Sequence, residues 1–210
     1  MPTFRSALRC LPLAVPLLLA GVAPALAAAP SGGLWPCIQR KVPELAAGQM
    51  WSGPPIENLR WQDDRQVADL VPVLAAQRTP IEEATKQIDS FAGTLGPDGK
   101  ERLTLLFAGV FEQINARRGR IMSGIERYSE HQIELSKRIK EESLALAKAK
   151  KAAATDEDKT KAQELEKQLL WDTRIYDARQ QSMTAVCESP VLLEQRVFAL
   201  ARAIQEKLPQ

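Results

Sequence analysis

From Phe107 onward, apolar residues recur at alternating steps of four and three for almost fifty positions: Phe107, Phe111, Ile114, Ile121, Ile125, Tyr128, Leu135, Ile139, Leu146, Ala149 and Ala153. Only Arg118, Gln132 and Glu142 interrupt the series. A period of 3.5 keeps one stripe of a helix facing a partner and winds the pair left-handed. No compact sheet protein can use a stripe of this length. The stripe predicts an all-α fold: a small helical bundle carrying a long antiparallel coiled-coil hairpin.

A second arm supplies the partner. Thr155 followed by Asp156, Glu157 and Asp158 reads as a helix start, with a capping hydroxyl and three acids at the positive end of the helix. The hairpin apex is therefore expected near Ala154. Ala162, Leu165, Leu169, Tyr176, Met183 and Val186 return at seam spacing, with Asp172 and Arg179 as exceptions. Leu170, Trp171 and Ile175 broaden this stripe and predict contact with more than one neighbour near the base. From Ile121 to Ala153 the arm would span roughly 50 Å at 1.5 Å per residue. Its seam weakens toward alanine, so the tip is expected to open first.

Residues 1–27 read as a cleaved signal peptide. Arg5 and Arg9 form a positive start, Leu11 to Leu26 an apolar run, and Ala25-Leu26-Ala27 a cleavage site. Pro12, Pro16 and Pro24 interrupt a run already short for a bilayer, which argues against a retained span and against stable membrane insertion. Cys10 precedes that run and would leave with it. The chain carries 28 Lys+Arg against 26 Asp+Glu, and both basic residues of the leader are arginines. Cleavage leaves a neutral protein, without the basic field that nucleic acid requires. The expected location is periplasmic or secreted.

Residues 28–62 are crowded with Pro and Gly yet hold Trp35, Trp51 and Trp61. They read as an extended strap whose indoles dock on the bundle, with one short turn around Glu44 to Gln49. Cys37 and Cys187 are the cysteines left after cleavage. In an oxidising compartment they are expected to form a disulfide at the hairpin base. Closing so long a loop stabilises by at most roughly 5 kcal/mol in the chain-entropy model. Redox chemistry is the weaker reading, since no C-x-x-C motif is present.

Residues 63–120 hold two short helices and the base of the first arm. Asp63 or Asp64 can cap the first helix, which Pro72 would kink, and Thr79-Pro80 opens the second. Both should cover Leu103, Leu106, Phe107, Val110 and Phe111. Gly119 and Gly124 are expected to mark a close helix crossing or a bend where bundle gives way to hairpin. The hairpin then occupies 121–187. Ser189-Pro190 should break the helix, leaving 188–210 as a C-terminal helix packed on the bundle.

Motifs for catalysis are missing. The one histidine, His131, stands between Glu130 and Glu134 on a predicted rod and offers too few ligands for a metal. Neither a P-loop nor a G-x-S-x-G elbow occurs, and no cofactor is expected. Arg117, Arg118 and Arg120 form a belt that could receive an acidic segment or small carboxylate, with Trp35 and Trp51 as candidate contacts. The leading expectation is an exported non-enzymatic protein that binds an envelope protein, as adaptor, assembly factor or holdase-like chaperone, with self-association open to it. The alternative is a small-molecule sensor or binding bundle that uses the strap tryptophans and the arginine belt.

Overall fold

The structure, a computed structural model, describes residues 34–209. The expected leader, Cys10 and the start of the strap lie outside the described residues. Four helices follow an irregular strap: α1 (Arg65–Ala75), α2 (Ile81–Gly93), α3 (Gly99–Ala152) and α4 (Asp156–Gln205). The fold is all-α, and α3 and α4 form the antiparallel hairpin. None of the described helices is long and apolar enough to cross a membrane.

The hairpin apex forms by local chemistry. At the apex Thr155 and Asp158 make a reciprocal capping box: the Thr155 hydroxyl accepts from the Asp158 N–H while the Asp158 carboxylate accepts from the Thr155 N–H at 3.1 Å. Every expected seam position of α3 from Phe107 to Ala153 is buried or half-buried, the three polar exceptions included. Cross-arm bonds fix the register. The Tyr128 hydroxyl donates to the Arg179 carbonyl at 2.9 Å, and the Gln132 amide to that of Tyr176 at 3.3 Å. Arg138 Nε meets the Asp172 carboxylate at 2.6 Å.

The bundle core gathers around the N-terminal third of α3 and the last turns of α4. Val67, Val71 and Leu74 of α1, Ile88 of α2, Leu106, Phe107 and Val110 of α3, and Leu193, Leu200 and Ile204 of α4 are fully buried there. Helix α1 packs on α3, whereas α2 packs mainly on α4. Asp64 caps α1, accepting from the Gln66 and Val67 N–H groups, and Arg102 of α3 grips the same carboxylate at 2.6 Å. Arg102 also lies 5.2 Å above the Phe91 ring, so one guanidinium joins the starts of α1 and α3 to the end of α2.

Three expectations about the helices are corrected. Helix α4 does not break at Ser189-Pro190 but runs through it, with Pro190 buried. The missing N–H costs about 3 kcal/mol, and burial of Leu193, Val197 and Leu200 just beyond it offsets that cost. Of the two readings of Gly119 and Gly124, crossing or bend, the close crossing is excluded: a Cβ on Gly119 would meet nothing within 4 Å, and one on Gly124 only a flexible arginine at 3.9 Å. The close approach falls at Gly109, where a Cβ would lie 2.6 Å from Val71 and 2.8 Å from the Trp61 ring. Of the residues expected to broaden the α4 stripe, Leu170 and Trp171 are 58 % and 63 % exposed and only Ile175 is half-buried, since the core members on α4 begin at Leu193. A smaller shift concerns α2, whose cap is Pro80 and not Thr79.

Candidate functional site

Two docked indoles and a disulfide fasten the strap to the bundle, beside polar contacts. Trp51 is buried and stacks on Phe107 with ring centroids 4.2 Å apart, its indole N–H donating to the Pro54 carbonyl at 2.8 Å. Trp61 is buried beside Gly109 and donates to the Glu112 carboxylate at 2.8 Å. A disulfide joins Cys37 to Cys187, 150 residues apart, with 5.6 Å between the Cα atoms. The strap and the hairpin base are thus covalently one unit. A bridge of this kind forms in an oxidising compartment.

The arginine belt divides. Successive helical positions are turned by about 100°, so Arg118 points into the seam while Arg117 and Arg120 stay exposed on another side. Those two border a shallow recess with Arg78, Pro72 and Glu112. Arg118 is only 4 % exposed, donates through Nη1 to the Val42 carbonyl of the strap, and has Nη2 3.7 Å from Glu194. Its Nε is buried without an acceptor among the described residues.

A cavity of about 710 Å³ opens beside it, under the disulfide. Trp35, Val42, Cys187, Pro190, Val191 and Phe198 supply apolar walls, and Arg40, Arg118, Arg202 and Glu194 are its charged groups. Trp35 is half-buried and tied by its indole N–H to the Gln39 carbonyl at 2.7 Å. Trp35, Arg118 and Cys187 therefore meet at one site, while Trp51 belongs to the core. Arg40, Arg202 and Phe198 escaped the sequence reading. Phe198 left one signal: it falls off the apolar stripe Val197, Leu200, Ala201 and Ile204, and it is 38 % exposed.

Comparison with protein-family models, curated proteins and solved structures finds no match. The chemistry must be read from the site alone. Among the described residues, no group of three or more His, Cys, Asp or Glu is arranged to hold a metal ion. His131 is on the outer surface of the hairpin, 3.3 Å from Glu134.

A second groove, of about 920 Å³, runs between the strap and α3 and is bordered by Lys41, Glu44, Glu57, Phe111, Gly119 and Glu126. Lys41 and Glu126, both on its border, form an ion pair. Farther along the hairpin, Asp172 is 3 % exposed and sits with Arg138 and Glu142 in a polar layer of the seam. Burial, followed by the neighbouring Asp172 charge, pushes the Glu142 carboxyl above its ordinary value. At the tip Lys150 pairs with Glu166 across the arms, and Lys159 and Lys161 pair with Asp156 and Glu157 along α4. These exposed pairs contribute about 0–1 kcal/mol each and leave a mixed-charge surface.

Proposed function

We propose that the chain is an exported, periplasmic, non-enzymatic protein that works by binding another envelope protein, as adaptor, assembly factor or holdase-like chaperone. The observation that carries this reading is the part of the hairpin beyond the core, whose outward positions present Ile133, Leu144, Leu170 and Trp171 at 43 % to 65 % exposure among charged residues. Large apolar side chains held outward on a stiff arm are what a protein-binding surface needs, aromatic ones above all. Affinity capture from an envelope fraction tests it. The intact protein should retain a specific partner that a Trp171→Ser/Leu144→Ser variant and a chain lacking residues 140–165 both lose, with the bundle still folded. Identical capture by all three would refute the reading.

A second reading, a small-molecule sensor or binding bundle, is favoured by the cavity beside the disulfide. It brings Trp35 and Arg118 to the same walls. Its volume is within the range of about 300–1,000 Å³ common to ligand sites. Screening the oxidised protein against small amphipathic compounds by thermal shift should yield a ligand that raises its melting temperature. A panel of acids, amines and alcohols without any stabiliser would count against it.

A further inference from the structure

The charge around that cavity is lopsided. Arg118 has Glu194 close by, so the buried end is nearly compensated. Arg40 and Arg202 are exposed at the rim and have no ion-pair partner among the described residues. Arg202 is also near the end of α4, where the helix dipole already favours a cation. Trp35, Pro190, Val191 and Phe198 give the same cavity an apolar wall. The disulfide lines the same space, so the strap side and the helix side cannot drift apart.

We propose that this cavity binds a small apolar carboxylate, a molecule with one acid group on an aliphatic or aromatic body. Arg40 and Arg202 take the carboxylate at the rim, where forked guanidinium donors match two oxygens. The body lies over Phe198 and Trp35, where aromatic rings exclude water from it. Arg118, its charge answered by Glu194, still offers the wall one free donor at Nε. An amine would meet three guanidiniums against one carboxylate, and a plain alcohol would leave the rim charges unanswered. This inference rests on the second reading above and assigns it a ligand class.

Calorimetric titration of the oxidised full chain with decanoate, decanol and decylammonium, each kept below micelle formation, decides it. Decanoate should bind one to one, and Arg40→Gln/Arg202→Gln should weaken it by about tenfold or more, the scale of lost charge-assisted bonds. Both residues are exposed, so the variant should keep the parent's melting temperature. Phe198→Ser should weaken decanoate as well. Decylammonium or decanol binding as tightly as decanoate would overturn the carboxylate assignment and leave the second reading standing. Decanoate binding unchanged in both variants would overturn the site. Failure of all three probes to saturate would overturn the inference together with the second reading.

Discussion

At Gly109 the side chain is missing because there is nowhere to put one. The Val71 methyl and the Trp61 ring occupy the space a Cβ would need. Gly109→Ala should therefore destabilise by about 1–3 kcal/mol through overpacking. Gly119→Ala, with open space around it, should be neutral or stabilising by up to about 1 kcal/mol. Thermal unfolding of the two variants checks the contrast, and equal shifts would refute it. Arg196 is the residue the sequence hid best. It stands 7 % exposed inside the last apolar stripe, where its Nε donates to the Leu74 carbonyl and Nη1 to that of Thr79, both at 2.8 Å. It thus satisfies the end of α1, and burial lowers its pKa. Nothing in one dimension could reveal this, because its partners are backbone carbonyls more than a hundred residues away. The same holds for Arg118, legible as a seam exception but not as the anchor of the Val42 carbonyl. Asp64 was legible, with Asp63, as one of two candidate caps. The Arg102 hydrogen bond, ahead of the capped N–H groups, holds its carboxyl below the ordinary 3.8. A depressed carboxylate contributes stability in full above that value and loses it as pH falls through the folded one. Asp64→Asn should therefore lower stability at neutral pH and flatten the acid limb of the profile below about pH 4.

Among the elements, the hairpin followed from periodicity because a seam is a repeated side-chain property that any register preserves. Helix α4's continuity through Pro190 did not, because proline's local cost was outweighed by packing contributed from other elements. The Glu142 layer shows the opposite balance. With its carboxyl raised chiefly by burial, the folded hairpin keeps this proton to a higher pH than the opened arms would. Its favourable contribution is complete below the ordinary 4.5 and disappears as pH rises through the folded value. Glu142→Gln should remove that dependence, and Glu142→Leu should raise the melting temperature of the hairpin at neutral pH. Unfolding profiles from pH 4 upward that are identical to the parent's would contradict the assignment.

For the molecule as a whole, the covalent tie and the docked indoles do the same job from opposite ends of the strap. Reduction, or Cys37→Ser, should destabilise by at most roughly 5 kcal/mol, since the tie acts on the unfolded chain as much as on the native one. Trp51 should stay stacked on Phe107 in the reduced protein, as its burial does not pass through the bridge. Near-UV circular dichroism before and after reduction would register its release if the indole depended on the cystine. Much of this plan was legible: the strap, the hairpin and the pairing of Cys37 with Cys187 all follow from residue types and compartment chemistry. The division of the arginine belt follows from the seam too, but the strap carbonyl that Arg118 holds was hidden, because Val42 lies 76 residues away.

The turn at Ala153–Thr155 lies inside the circuit that the cystine closes. A protease that cuts there makes two peptides but not two molecules. Under oxidising conditions the halves should migrate together, still packed along α3 and α4, and only a reductant should part them. A rod severed at its far end would thus persist as a two-chain protein.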